Sequence, residues 1–323
     1  MPSDARLLLF DKAQVESLLV PEEVLEAVRE AFLRHGRGEG RVFPVVREPL
    51  TTGGVFGIKS GDIPVKGLLG LKAAGFWPSN RKLNSEPHQA TIVLIDPRTG
   101  RPLCVLDGNA ITAARTAAAG ALGLLALARQ ESKRLCVFGT GVQACAHLTY
   151  ALKYMPLLRR VRYVTLKSMP DANFEALFAT RCELSHATDP NEAVAESDVV
   201  ITATPSSVPL FDLQAAQPGT HFNCVGADTK GKRELPEGLL MRARLFVDDR
   251  IQAREIGETQ WAQEQPSIEL GELLAGRFDE RREATDLTVF DLTGLALQDL
   301  MVAHLLHDRA VVRGSGLSIA WPW

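Results

Sequence analysis

Between residues 20 and 36, in VPEEVLEAVREAFLRHG, the apolar positions Val24, Leu25, Val28, Ala31 and Phe32 recur at helical spacing. Pro21 with two acids opens the segment and Gly36 closes it, the start and stop signals of a helix. The texture then changes. VFPVVREPLTTGGVFGIKSGDIPVKGLLGLKAAGFWP and QATIVLIDPRTGRPLCVLDG are rich in Gly, Pro and β-branched residues and read as antiparallel strands. DPRTGRP between two of these runs is a turn.

NAITAARTAAAGALGLLALARQ follows, rich in Ala and Leu, and predicts a long helix from about Thr112. The Thr112 hydroxyl is a candidate cap for the first free amides. Strands and helices alternate from there: RLCVFGT, GVQACAHLTYALKYM, VRYVTLK, FEALFATRC, then NEAVAES before DVVITAT, THFNCVGA and ARLFVDD. That β-α-β order is the signature of a parallel sheet wound with helices. LTVFDLTGLALQDLMVAHLLHDRA closes the pattern as a strand, a glycine turn and an amphipathic helix that can pack back on the first part of the chain. The expected class is therefore α/β, a Rossmann-type parallel-sheet domain plus an α+β domain. The boundaries fall at residues 1–115, completed by about 298–323, and 116–297.

Composition narrows the picture. With 323 residues the chain exceeds one ordinary core, and 46% hydrophobic with 23% charged residues is globular. The net charge of −3, with scattered basic residues, argues against a nucleic-acid partner. Five cysteines without a C-x-x-C pair point to a reducing compartment, and seven histidines without an H-x-x-x-H pair give no zinc spacing, so no metal is expected. The N-terminus lacks the features of a signal peptide, and AAAGALGLLALA (117–128) falls short of a membrane span. A cytoplasmic protein without a membrane partner is expected.

The clearest chemical motif is FGTGVQA. Gly139, Gly141 and Ala144 form G-x-G-x-x-A between an expected strand and an expected helix, the context that the dinucleotide fingerprint requires. Gly139 permits the tight turn, Gly141 lets the backbone approach a pyrophosphate, and Ala144 lets helix and strand pack closely. The loop and helix start, Gly139, Thr140, Gly141, Val142 and Gln143, are the phosphate-binding candidates. The second strand, VRYVTLKSMPD, carries no acid at its end for a ribose 2′-hydroxyl. It offers Thr165, Lys167 and Ser168, with Asp171 further on a loop. Lys167 and Ser168 suit a 2′-phosphate better, which favours NADP(H) over NAD(H). Thr204, Pro205 and Ser206 end the strand SDVVITATPS, and Val225, Gly226 and Ala227 end the next, on the edge where the nicotinamide ribose would lie. The same three residues of SDVVITATPS also read as a simple turn.

Three basic residues precede this domain in apolar or glycine-rich surroundings: Arg47, Lys72 and Arg115. Arg115 falls in the first turn of the Ala-rich helix, the wrong end for a cation by the dipole argument. Such placement suits an anionic ligand, which arginine binds bidentately. Ordinary internal ion pairs would also account for it.

LKAAGFWPSN, PHQATIVLIDPRTGRPLCVLDGNAITAARTAAAGAL, FGTGVQA, SDVVITATPS, VGADTKGKREL with FVDD, and VFDLTGLALQDL occur in an order that resembles the ornithine cyclodeaminase/mu-crystallin family. The resemblance runs over most of the chain. It implies a homodimer with an NAD(P)-binding Rossmann domain and a second domain that dimerises and lines the active site. By the same resemblance, Arg47, Lys72 and Arg115 bind the substrate carboxylate, and His88 lines the pocket near the nicotinamide. Thr116, Val142, Gln143, Lys232 and Leu292 match cofactor contacts, and Thr293 matches a substrate contact. Asp228 matches the acid that cyclodeaminases use as proton donor and acceptor, so Asp228 and Lys72 are the catalytic candidates.

The implied activity is hydride transfer between the Cα of a small amino or imino acid and the nicotinamide. Three functions share these features. One is an imine reductase or amino-acid dehydrogenase. Another is a redox-neutral ornithine cyclodeaminase, giving proline and ammonia. The third is a non-catalytic small-ligand binder of the mu-crystallin kind. The missing acid on the second strand and the compact chain favour the first.

Overall fold

The computed structural model describes residues 5–278 and 282–321. The chain forms two compact units, Met1–Arg115 with Leu295–Trp323, and Thr116–Gly294. Unit 1 holds β1 (Arg6–Phe10), β2 (Arg41–Val42), β3 (Val46–Pro49), β4 (Val55–Ile63), β5 (Leu68–Phe76), β6 (His88–Ile95) and β7 (Pro102–Asp107). Unit 2 holds β8 (Arg134–Phe138), β9 (Arg160–Val164), β10 (Glu183–His186), β11 (Val199–Thr202), β12 (His221–Cys224), β13 (Arg244–Val247), β14 (Ser267–Glu269) and β15 (Thr288–Asp291). The chain returns to unit 1 for β16 (Leu317–Ala320).

In unit 1 the sheet order is β16-β1-β7-β6-β5-β4-β2, with β3 also on β4. Its pairs are antiparallel except β1 with β7. Strand alternation puts Lys59, Gly61 and Ile63, Gly70 and Lys72, and Ile92 and Leu94 on one buried face. The helix Ala296–Arg313 lies on that face. A Cβ on Gly70 would stand 2.7 Å from a Leu300 methyl, and one on Gly61 3.0 Å from Leu297. The other face, with Ile58, Leu71, Val93 and Val105, is half-buried.

The unit 2 sheet runs β10-β9-β8-β11-β12-β15-β13-β14, parallel throughout. The chain starts at β8, moves outward through β9 and β10, and then crosses to β11 on the other side of β8. Strand order reverses there, and ligands of such sheets bind at the carboxyl ends beside the reversal.

The Ala-rich helix begins earlier than its composition suggests. It runs Gly108–Leu127, and the Asp107 carboxylate caps it by accepting from the amides of Asn109 (3.1 Å) and Ala110 (3.3 Å). Thr112 is therefore no N-cap, and Arg115 sits in the second turn rather than the first. At 20 residues the helix is long and apolar enough to cross a membrane by composition alone, but most of it is buried inside the protein. Gly120 and Gly123 let its second half pack closely, where added Cβ atoms would meet His147 of the helix Val142–Tyr154 and Phe290 of β15. Strand β1, the edge strand β16 beside it, and the short β10 and β14 are elements that the hydrophobic pattern does not announce.

Candidate active site

In unit 2 the chain leaves β8 at Gly139, whose φ of +95° is in the region open to glycine. A side chain there would also press within 2.8 Å of the Ala203 carbonyl. Gly141 precedes the helix Val142–Tyr154, whose first turn no side chain caps. A Cβ on Gly141 would meet nothing within 4 Å, so the space over the helix start is open. Ala144 is fully buried against the sheet. Free amides, a positive helix end and open space fit a pyrophosphate.

Asp171, the one acid near the end of β9, has other work. Its Oδ1 accepts from the amides of Asn173 and Phe174, both at 3.1 Å, and caps the next helix. The Thr140 hydroxyl and those amides hold its carboxyl below the usual range. Lys167 and Ser168 stand exposed on the same loop, with Ser168 at φ +49°. The Thr165 hydroxyl closes that loop on Met169.

Beyond β11 and β12 the two loops are tied by one buried acid, Glu234. It accepts from the Thr202 hydroxyl (2.7 Å), the Thr204 amide and hydroxyl (both 2.7 Å) and the Gly226 amide (2.9 Å). Burial pushes its pKa up while these donors pull it down. Gly226 must be glycine: a Cβ would stand 2.1 Å from the Thr204 carbonyl and 2.5 Å from Glu234. Val225 and Ala227 are buried beside it, and Pro205 follows Thr204. Asp228, next on this loop, is half-exposed and accepts from Lys232 Nζ (2.6 Å) and the Thr229 hydroxyl (3.1 Å). Lys232 also donates to the Gly226 carbonyl at 3.2 Å.

After β15, Leu292 is buried and Thr293 is held from two sides. Its hydroxyl donates to Asp248 (2.7 Å) and accepts from Gln252 Nε2 (2.6 Å), while Asp248 also takes the Gly294 amide. Thr116, in the long helix, is buried as well.

Unit 1 assembles the expected cations. Lys72 Nζ lies 2.7 Å from Asp299 and 3.4 Å from the Thr112 hydroxyl. Arg115 Nε lies 3.0 Å from the same carboxylate, and its Nη1 donates to Gln298 at 2.9 Å. All of these side chains are buried. Burial, with Arg115 beside it, lowers the Lys72 pKa to about 8 against the pull of Asp299. Burial would raise Asp299, but Arg115 and Lys72 outweigh it and hold the carboxyl low. Arg47 acts on Lys72 as a third cation. His88 is half-buried, its Nδ1 3.1 Å from Asn109, which in turn donates to Glu86. Lys59, Glu234, Gln298 and Asp299 were not among the sequence candidates. Glu234 does lie inside the motif VGADTKGKREL, and Gln298 and Asp299 inside VFDLTGLALQDL.

Comparison with known proteins gives the family. The chain matches the model of the ornithine cyclodeaminase/mu-crystallin family over residues 7–314 and belongs to that family. It is 36% identical over 318 residues to the iminosuccinate reductase of Paracoccus denitrificans, covering 95% of this chain and 98% of the relative. A solved archaeal alanine dehydrogenase, a dimer with bound NAD, superposes with a TM-score of 0.91 at 30% identity, over 98% of this chain and 99% of the other. The Δ1-pyrroline-2-carboxylate reductase of Thermococcus litoralis, solved with NADH and L-proline, gives 0.89 at 26% identity, over 97% and 100%. The chain is an enzyme of this family with a nicotinamide cofactor.

Proposed function

We propose that this enzyme interconverts a 2-imino acid and the corresponding 2-amino acid by hydride transfer at Cα, using NADP(H) in preference to NAD(H). One observation carries the reading: Lys72 and Arg115 are buried together on a single carboxylate, Asp299. Burying several cations around one acid is costly unless an anion joins them. The carboxylate common to imino and amino acids is such an anion, and Arg47 is the third member of its clamp. Unit 2 supplies the cofactor loop, Gly139 to Gln143, with Thr204, Pro205, Gly226, Lys232 and Leu292 as further contacts. Lys167 and Ser168 receive the 2′-phosphate because Asp171 is committed to its helix.

The nicotinamide, when bound, supplies or accepts the hydride. The chain holds the carboxylate, orients Cα and excludes water. Asp228 gives or takes the proton at the reacting nitrogen, with Lys232 as its partner. His88 and Thr293 line the substrate. Two copies associate through the half-buried apolar face of the unit 1 sheet, as a patch of this kind suggests and in keeping with the dimeric alanine dehydrogenase relative.

The test is a panel of amino acids and of 2-oxo acids with ammonia, with NADH and NADPH, read for nicotinamide absorbance and for ammonia. Net absorbance change is expected, larger with NADPH. Ammonia from ornithine with no absorbance change would overturn the reductase reading in favour of the cyclodeaminase. Asp228→Asn should lower turnover about a hundredfold or more while leaving cofactor affinity nearly intact; an Asn variant with full turnover removes the proton role.

A further inference from the structure

The helix Ala296–Arg313 carries HLLHD at residues 304–308, a run that the H-x-x-x-H spacing does not cover. Its buried side here is Val302, Ala303, Leu306 and Ala310, whereas His304 and His307 are half-buried and Asp308 is exposed. Residues three and four apart are neighbours on a helix surface, and each side chain leans back over the preceding turn. His307 and Asp308 therefore reach back towards His304. His304 Nε2 stands 3.4 Å from Asp308 Oδ2, and His307 Nδ1 stands 3.2 Å from Asp308 Oδ1. Each of the three residues offers a ligand atom within 4.8 Å of the other two.

Among the described residues, the ion-pair partners of Asp308 are these two imidazoles, with no lysine or arginine on its carboxylate. Arg309, the next residue, is turned to the Leu18 carbonyl and to Glu23. The spacing of the three groups suits a metal ion. On a tetrahedral ion, ligand atoms about 2.1 Å from the centre stand roughly 3.4 Å from one another. Two imidazoles and a carboxylate form a ligand set for Zn2+ and its first-row neighbours, whereas Ca2+ and Mg2+ take oxygen ligands. Three protein ligands on the outer side of a helix leave a fourth position to water.

We propose that His304, His307 and Asp308 bind one divalent transition-metal ion of the Zn2+ type per chain, with water completing the coordination. The site stands apart from the imine–amine reading and does not depend on it. It departs from the expectation, drawn from H-x-x-x-H spacing, that no metal binds. A neutral imidazole offers one lone pair, so the ion is held with both rings neutral. In an unfolded chain the three side chains are not gathered on one side of a helix, so binding favours the folded state.

The test uses the full chain without an affinity tag, stripped with EDTA and then dialysed free of it. Zn2+ titrated calorimetrically should saturate at one ion per chain, and Co2+ should give the visible absorption bands of a tetrahedral site. Zn2+ should also raise the melting temperature. Losing even an outer partner of a metal ligand costs about tenfold or more in affinity. His304→Ala, His307→Ala and Asp308→Asn should therefore each weaken Zn2+ binding by at least that factor. The double variant His304→Ala/His307→Ala should lose the Co2+ bands and the thermal shift. In EDTA it should melt close to the wild-type enzyme, because the replaced side chains lie outside the buried stripe; where it melts lower, Asp308→Asn, which keeps the side-chain shape, carries the test. A wild-type enzyme without saturable Zn2+ binding overturns the proposal. So does Zn2+ binding of equal strength in the variants, which marks an adventitious ion only.

Discussion

The two units bury charge in opposite ways. Unit 1 gathers Lys59, Lys72 and Arg115 in its core with Asp299. Unit 2 buries Glu234, Glu258 and Asp291, whose hydrogen bonds come from amides and hydroxyls. The difference separates two uses of a buried ion. Glu234 meets four donors supplied by the fold, so it is a finished strut that sets loop geometry. In unit 1, Lys72 and Arg115 share the one carboxylate of Asp299, and the proposed substrate carboxylate would join them. A saturated buried ion marks structure, and an under-neutralised cluster marks a binding site.

Removing a cation should break this contrast most severely. In Arg115→Ala, the substrate carboxylate loses its bidentate partner, and Asp299 keeps only Lys72 of its two contacting cations. Truncating one partner of a buried charged pair costs about 3–5 kcal/mol. The expected loss in kcat/KM is therefore roughly a hundredfold to several thousandfold, carried mainly by a higher KM. Steady-state kinetics with the best panel substrate checks this. An unchanged KM would make Arg115 a structural ion only.

Glu234→Gln comes next. A glutamine side chain has one acceptor oxygen where Glu234 uses both, on Thr204 and on Thr202 with Gly226. At least one buried donor is then left facing an NH2 group, at a cost of about 1–3 kcal/mol. The loops that carry Thr204 and Asp228 lose their common tie. Turnover should fall about tenfold to a hundredfold, since small misplacements near a reacting centre have that scale, and the melting temperature should drop. A variant with a lower melting temperature and full turnover would show that Glu234 supports the fold without setting the loops.

The third test uses pH. Burial, then Arg115, brings the Lys72 pKa down to about 8. The ammonium is charged below that pH and neutral above it. Attraction for a carboxylate should therefore fade as pH rises through about 8, and kcat/KM should decline on that limb. Lys72→Arg, charged throughout, should lose the limb even if it turns over more slowly. A wild-type profile flat to pH 9.5 would remove Lys72 from the clamp.

These residues also mark where sequence reading reaches and where it stops. The parallel alternation and FGTGVQA were legible because each strand, turn and helix is local, and the loop needs only Gly139, Gly141 and Ala144 in order. Lys72 and Arg115 drew notice by being cations in apolar runs. Lys59 did not, because GVFGIKSGDIP is an ordinary polar-looking strand until its register against β5 sets it opposite Lys72. Glu234 read as one charge among several beside Asp228, since its four donors come from residues 202, 204 and 226. The start of the long helix was misplaced for a different reason. Thr112 is a good cap by type, but Asp107 at the end of β7 is a better one, and only the strand's end shows which is used. Strands β1 and β16 pair residues more than 300 positions apart, Arg6 with Ala320, beyond any local pattern.

The smallest expected effect sharpens the contrast from the unit 2 side. Burial raises the Asp291 pKa to about 7, helped by Asp248 and opposed by the bonds from Thr259. Its Oδ2 takes the Thr259 amide and hydroxyl, and among the described residues Oδ1 has no partner. An unfolded aspartate ionises near 3.8, so between about pH 4 and pH 7 the unfolded chain releases a proton that the folded one keeps. The unfolded state then binds fewer protons, and stability must fall as pH rises through that window. Glu234 and Glu258, also raised by burial, act in the same direction. Asp291→Asn keeps the shape, keeps an acceptor for Thr259 and cannot ionise. Its melting temperature should therefore decline less between pH 5 and pH 7 than that of the wild-type enzyme, both measured without cofactor. Equal slopes would mean that Asp291 is held ionised in the folded enzyme.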